Sequence, residues 1–168
     1  RSCINCLIII KIIIKKISAP VHMNALAIGS KNNLNEMLRD VLPVLVRKLT
    51  CRAGVIYQRD PKAGWSQCIS VPRRIKGLGA VELVYKRLIS GIDLPAVLSL
   101  DGQEIYINEI PSFGAVALVK SGQPLSDEIR FSLPQLYRKL AQACQSSLQS
   151  EKVKKSEALY RALVNTSR

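Results

Sequence analysis

The stretch QEIYINEIPSFGAVALVK, residues 103–120, contains the pattern that decides the fold. Two runs rich in β-branched, aromatic and other apolar residues flank Pro111-Ser112, an arrangement typical of an antiparallel hairpin. Just before it, the short run AVLSL ends at Asp101-Gly102, a tight-turn signal that leads into the same hairpin. The sequence therefore predicts a short strand followed by an antiparallel hairpin in this part of the chain.

A helix is predicted on each side of the strand region. Residues 32–49 have apolar residues at helical spacing, with Asn32 or Asn33 as the N-cap. After the hairpin, Ser126 is a capping residue, and a helix is predicted from about Glu128 into the 150s.

Between the first helix and the hairpin, the sequence predicts two more strands and a helix. The runs CRAGVIYQRD and GWSQCISV are rich in β-formers and are separated by a turn containing Pro61 and Gly64. A helix from about Ala80 to Ile89 follows. The order of elements predicts an α+β fold: an antiparallel sheet of five or six strands, terminal helices on one face, and a helix-and-loop connection on the other.

The charge of the chain suggests anionic partners, but its distribution does not favour nucleic acid. The 168 residues include 25 basic and 12 acidic ones, for a net charge of +13. The basic residues are scattered, no run exceeds a pair, and no aromatic residues are interleaved with them to stack on bases. A basic nucleic-acid-binding regulator remains the alternative function, and steeply salt-dependent binding of generic DNA would support it.

Five cysteines and one histidine limit the possible metal and redox chemistry. An odd cysteine count in a chain large enough to build a core favours reduced thiols in the cytoplasm over a disulfide framework. Cys3 and Cys6 have CxxC spacing, but no second pair follows and the histidine is His22, so the pattern does not favour a four-ligand zinc site.

The first 22 residues differ in composition from the rest of the chain. Residues 1–17, RSCINCLIIIKIIIKKI, are dominated by isoleucine and lysine and contain no acidic residue. The apolar run is broken by Lys11 and is too short to span a bilayer. Three interpretations stay open: a segment on a membrane surface, the end of a signalling helix from an upstream domain, or a segment foreign to the natural protein.

Two stretches resemble the GAF domain family. LNEMLRDVLPVLVRKLTCRAGVIYQRD resembles its opening helix and first strand, and QEIYINEIPSFGAVALVKSGQPLSDEIRFSLPQLYRKLAQAC resembles its closing hairpin and exit helix. Farther on, SEALYRALVN is similar to the first helix of a PAS domain, and Ser156-Glu157 indicates a helix start.

The resemblance implies a domain organisation and a class of parent protein. Composition sets residues 1–22 apart as an atypical segment, and the resemblance implies a sensor domain at 23–150 and, at 151–168, a linker and the first helix of a truncated PAS-like domain. Such modules belong to cytoplasmic bacterial signalling proteins with a histidine kinase or cyclic-di-nucleotide enzyme as output.

The sequence does not predict an enzyme. His22 lies outside the regular pattern, so no Ser-His-Asp or Cys-His pair can be assembled inside the domain, and neither GxGxxG nor GxxxxGK[ST] is present. The cyclic-nucleotide signature Asn-Lys-Phe-Asp-Glu and the Cys-His dipeptide of bilin attachment are also absent, and the cofactor is left unknown.

The resemblance places a small-molecule pocket between the sheet and the connection at residues 72–95. Five candidate binding residues flank its expected opening: Trp65, Cys68, Arg73, Arg74 and Tyr85. The arginine pair could clamp an anion, and Cys68 could be a redox-sensing thiol. The alternative interpretation is structural, with packed aromatic rings, a solvated turn and a cysteine acting as a small buried hydrophobe.

The last helix predicts an assembly. It has apolar residues at intervals of three and four, a seam suited to pairing with another helix: Leu133, Leu136, Leu140, Ala143, Cys144 and Leu148. We therefore expect a parallel homodimer through the terminal helices, which would transmit a signal to the next module.

Overall fold

A computed structural model of the chain describes residues 8, 11–12, 34–74 and 78–167. The hypotheses about segment 1–22, with Cys3, Cys6 and His22, lie outside these residues apart from Ile8, Lys11 and Ile12, which are helical. The predicted cap at Asn32 or Asn33 also lies outside them.

The described residues form three helices and a five-stranded sheet. In chain order they are α1 (Leu34–Lys48), β1 (Ala53–Asp60), β2 (Gly64–Val71), α2 (Gly79–Ile89), β3 (Ala96–Leu100), β4 (Gln103–Ile110), β5 (Gly114–Ser121) and α3 (Asp127–Thr166). The sheet has the order β2-β1-β5-β4-β3, and every neighbouring pair is antiparallel. The predicted α+β fold with an antiparallel sheet is confirmed.

The hairpin that the sequence predicted within residues 103–120 is formed by β4 and β5. Its strands pair from Gln103 with Ser121 to Ile110 with Gly114. The three-residue connection is closed by a hydrogen bond from the Phe113 N–H to the Ile110 carbonyl at 3.0 Å, and Ser112 has a positive φ of 60°. β5 also pairs with β1, so it lies in the centre of the sheet, and its residues from Gly114 to Lys120 are buried.

The two faces of the sheet carry separate cores. On one face α1 and α3 pack side by side on residues of the strands, including Ile56, Val116 and Leu118. On the other face α2 packs on a second core, to which β5 contributes Ala115 and Ala117. The alternation along β5 follows from the two-residue period of a strand, and it places terminal helices and connection on opposite faces as predicted.

A buried lysine joins the centre of the sheet to the end of α1. The Lys120 ammonium donates to the carbonyl of Leu49 at 2.9 Å, and to the carbonyl and hydroxyl of Thr50 at 3.3 and 2.6 Å. Thr50 has a positive φ of 52°, so the chain turns sharply here into β1. A cation at these carbonyls satisfies groups that the end of a helix leaves unpaired.

The last helix is longer than the domain it packs on. α3 has 40 residues, which corresponds to about 60 Å. Ser126 caps it by accepting a hydrogen bond from the Ile129 N–H at 3.4 Å. From Lys152 to Ser167 every residue is exposed. No helix in the described part of the chain is long and apolar enough to cross a membrane.

Two expectations about α3 are corrected by the structure. The helix runs through Ser156 without interruption, so no new helix begins there. Leu133, Leu136, Leu140 and Cys144 are buried in the core shared with α1, so these members of the predicted seam face their own domain. The apolar residues that α3 exposes in its second half are instead Val153, Leu159, Tyr160, Leu163 and Val164.

Candidate functional site

An open groove of about 860 Å³ lies at the C-terminal end of α2, and we call it the α2 groove. Three connections meet there, namely the β1–β2 hairpin, the loop that follows α2 and the β4–β5 turn. Its lining residues include Arg59 and Trp65 from the first, Asp93 and Leu94 from the second, and Glu109 and Phe113 from the third. Because β1 and β5 are antiparallel neighbours, their two hairpin ends lie at the same end of the sheet.

Arg59 and Trp65 lie side by side in this groove. They are direct cross-strand partners in β1 and β2, and the Arg59 guanidinium lies 5.7 Å from the centroid of the indole ring. The Arg59 backbone is held by a hydrogen bond from its N–H to the Phe113 carbonyl at 2.9 Å. Arg59 has no salt-bridge partner among the described residues. The pair therefore presents a flat cation beside an aromatic face.

The turn that follows Arg59 is fixed by a carboxylate. Asp60 accepts hydrogen bonds from the N–H groups of Lys62 at 2.7 Å and Ala63 at 2.9 Å. These bonds favour the ionised form and lower the pKa of Asp60 below its usual value. Asp60 thus shapes the turn, while Asp93 and Glu109 are the acidic side chains that line the groove.

Two tyrosines stack beside the groove, the buried Tyr57 of β1 and the exposed Tyr85 of α2. The rings of Tyr57 and Tyr85 stack with their centroids 6.0 Å apart. The Tyr57 hydroxyl donates to the Val81 carbonyl, and the Tyr85 hydroxyl to the Trp65 carbonyl, both at 3.4 Å. Burial, and then the neighbouring Tyr85, raise the pKa of Tyr57 to about 12. The α2 groove lies to one side of this packed pair.

The five residues predicted from the sequence do not form one site. Trp65 lines the α2 groove, and the Tyr85 hydroxyl of α2 contacts the Trp65 carbonyl. Cys68 packs against the core on the opposite face of the sheet. Arg73 and Arg74, which follow β2, are both exposed, and Arg73 lines a different groove.

Strand alternation already places Trp65 and Cys68, which are three residues apart, on opposite faces of the sheet, and a β-bulge brings Ile69 to the face of Cys68. Ile56 pairs with Ile69 and Tyr57 with Gln67, so Cys68 is an extra residue in β2. With this extra residue, both Cys68 and Ile69 face α1. A bulge depends on the partner strand, so the alternation read along β2 by itself could not reveal it.

The environment of Cys68 favours the structural interpretation of this thiol. Its Sγ lies 3.8 Å from Gln58 Oε1, and burial raises its pKa. Burial also raises the pKa of Cys51 to about 11 and that of Cys144 to about 12. Since a thiol reacts through its thiolate, none of these three environments activates sulfur for redox sensing.

A second groove, of about 500 Å³, lies on the opposite face at the edge of the sheet, and we call it the β2 groove. It is lined by residues 67–71 of β2, by Arg39 and Pro43 of α1, and by Arg73. Among the described residues there is no cluster of histidine, cysteine and carboxylate side chains that could hold a metal ion.

Arg59, Asp93 and Glu109 were not predicted as site residues from the sequence. Each was visible as a charged residue beside a turn, but the three lie far apart in the chain. Their convergence follows only from the strand order, which puts the ends of two hairpins and the loop after α2 together.

Comparison with known proteins finds similar folds among solved structures. No protein-family model and no curated protein matches the chain. Among solved structures, a GAF domain/HD domain protein from Geobacter sulfurreducens is 15% identical, with 67% of this chain and 93% of that chain covered and a TM-score of 0.50. The fold is GAF-like.

Two further solved structures are similar at lower scores. The GAF domain of an Acinetobacter phosphoenolpyruvate-protein phosphotransferase is 12% identical over 85% of this chain and 94% of that chain, with a TM-score of 0.48. The gliding protein MglB from Thermus thermophilus is 14% identical over 67% of this chain and 92% of that chain, with a TM-score of 0.44.

Proposed function

We propose that this chain is a sensor module of a cytoplasmic bacterial signalling protein, and that it binds a small molecule in the α2 groove. The observation that carries the proposal is a groove of about 860 Å³ on a GAF-like fold, lined by charged groups of both signs. Pockets that combine apolar walls with a few converging polar groups are the usual form of a ligand site. The proposed role is binding and regulation, and not catalysis.

The lining suggests the chemistry of the ligand. Arg59 offers a guanidinium for a carboxylate or phosphate, whereas Asp93 and Glu109 can accept from an ammonium group. Apolar side chains such as Ile92 and Leu94 are available for a hydrocarbon part. A zwitterion with an apolar side chain, such as an amino acid, would use all three features.

Trp65 is the only tryptophan of the chain and lines the groove, so its fluorescence is a direct test. We expect at least one of the twenty L-amino acids, titrated to millimolar concentration, to change the Trp65 emission saturably. Arg59→Gln should weaken that binding by about tenfold or more, because a charge-assisted pair is lost. Arg87→Gln, which removes an exposed charge of α2 outside the groove lining, should leave the affinity unchanged.

Other results would count against this site. If no amino acid changes the emission or the melting temperature, the proposed zwitterion is wrong. If Arg59→Gln and Arg87→Gln weaken binding equally, the effect comes from net charge and not from the groove.

We further propose that α3 transmits the state of the domain through a parallel homodimer. Its exposed second half has two pairs of apolar residues one turn apart, Leu159 with Tyr160 and Leu163 with Val164. A second copy related by a two-fold axis would cover this stripe. A PAS domain, followed by a histidine kinase or a cyclic-di-nucleotide enzyme, is the proposed receiver.

The dimer should be visible by sedimentation of the full chain at micromolar concentrations. Replacing Leu159 and Leu163 together by Gln should raise the dimer dissociation constant by about tenfold or more, since each buried leucine contributes about 1.5–3 kcal/mol. Replacing Lys154 and Lys155 by Gln is the matched control and should not weaken the dimer. If the unaltered chain is a monomer at high micromolar concentration, the dimer proposal fails.

A further inference from the structure

The β2 groove lies along an unpaired edge of the sheet. β2 is the first strand in the sheet order, so among the described residues another strand bonds only to its β1 side. The groove follows residues 67–71 along this edge and passes beneath Arg39 and Pro43 of α1. An exposed edge strand presents backbone donors and acceptors to any extended chain that can reach it.

The floor of this groove is apolar because of the bulge. Cys68, Ile69 and Val71 all pack, partly buried, against the core under α1. A regular strand would direct only every second side chain to this face, whereas the bulge adds one. The floor can therefore receive the apolar side chains of an added strand.

The rim of the groove is basic. The side chains of Arg39 and Arg73 line it, both residues are exposed, and no acidic residue is in the lining. Neither arginine has a salt-bridge partner within the described part of the chain. The buried Ser70 hydroxyl donates to the Arg73 carbonyl at 3.4 Å, which fixes the backbone that carries the second guanidinium. Within the described residues nothing neutralises either cation, so each can pair with a carboxylate of a partner.

Of the two edge strands of the sheet, β2 lies in a more basic part of the chain than β3. Basic residues outnumber acidic ones in residues 34–74, which contain α1, β1 and β2. Between residues 93 and 128 the balance is reversed, and the only basic residue there is the buried Lys120. An acidic partner would therefore be directed to the β2 edge.

We propose that the β2 groove binds an extended acidic peptide segment of a partner protein, which adds as a sixth strand beside β2. Strand addition would satisfy the unpaired edge, alternate apolar side chains would pack on the floor, and carboxylates would pair with Arg39 and Arg73. The five residues 67–71 span about 17 Å, which is the length of an extended peptide segment and far exceeds a single phosphate group. Residues 1–33 of the chain contain no acidic residue, so they do not match this charge pattern.

The proposal is tested by fluorescence anisotropy with a labelled peptide of alternating Glu and Val, six residues long. It should bind the full chain, and reversing both charges with Arg39→Glu and Arg73→Glu should weaken it by about tenfold or more. The reversed variant should in turn bind a peptide of alternating Lys and Val. The matched control, Arg87→Glu with Arg138→Glu, changes two exposed arginines elsewhere and should bind the Glu-Val peptide like the unaltered chain.

Three further measurements can overturn the proposal. If two Glu-Val peptides, one methylated on its odd and the other on its even backbone nitrogens, both bind as well as the parent peptide, no strand is added. If inorganic phosphate displaces it at low millimolar concentration, the site is a simple anion site, and tighter binding of single-stranded DNA would indicate a nucleic-acid surface. Arg59→Gln should leave peptide binding intact, so failure here is distinguishable from failure of the α2 groove. Unchanged melting temperatures for the charge-reversed variants would exclude loss of the fold as the cause.

Discussion

Gly114→Ala is expected to lower the free energy of unfolding by about 3 kcal/mol or more, or to prevent folding. Gly114 begins β5 and pairs with Gln58 of β1 in the centre of the sheet. A Cβ atom at this position would overlap the Tyr57 carbonyl oxygen and would lie 2.9 Å from the carbonyl carbon. These neighbours are backbone atoms, so the contact can be relieved only if β1 and β5 separate and their hydrogen bonds lengthen.

Gly79→Ala is the matched control for this prediction. Gly79 begins α2, and an added Cβ would meet only the Leu100 side chain at 3.6 Å, an ordinary contact distance. Alanine at a helical position should be neutral or should stabilise the domain by about 0.5–1 kcal/mol. Denaturant unfolding of both variants measures the difference. If Gly114→Ala unfolds at the same denaturant concentration as the unaltered chain, the described approach of β1 to β5 is wrong.

Gly114 also shows which feature of the fold could not be predicted from the sequence. The pattern around Phe113 and Gly114 predicted a strand correctly, because alternation and β-propensity are local properties. The need for glycine comes from β1, which is distant in the chain and adjacent only in the folded sheet. The helices, the deciding hairpin and the antiparallel sheet were thus predictable, whereas the close contact between central strands was not.

The candidate site was less predictable than the fold for a related reason. Alternation along β2 separates Cys68 from Trp65, but the position of Ile69 on the α1 face depends on the extra residue at Cys68, which only the pairing with β1 shows. Of the five predicted residues, Trp65 lines the α2 groove and Tyr85 lies beside it on α2. The resemblance could not supply Arg59, whose place beside Trp65 depends on the cross-strand register.

A local signal was also misleading in α3. Ser156-Glu157 has the composition of a helix start, but such residues cap a helix only where the preceding residues are not helical. The preceding stretch, residues 148–155, is itself rich in Lys, Leu, Gln and Glu, which favour helix. The helix therefore continues through Ser156, and the two helices that the sequence suggested are one continuous helix.

Leu136→Ala is expected to cost about 2–5 kcal/mol of unfolding free energy, because it leaves a cavity in the core. Leu136 is 0% exposed and packs in the core between the sheet, α1 and α3. Phe131, which lies earlier on the same helix, is 84% exposed. Phe131→Ala removes more side-chain volume, yet it should change the stability by less than about 0.5 kcal/mol.

This pair of variants separates two roles for the first half of α3. If Leu136 belonged to a seam between two copies, its replacement would weaken the dimer, and the loss of stability would depend on protein concentration. Since Leu136 is buried within its own domain, the loss should be the same at every concentration, in the full chain and in the variant with Leu159 and Leu163 replaced by Gln. A concentration-dependent loss would place the interface between copies on the buried part of α3, and the exposed stripe at residues 159–164 would then lose its proposed role.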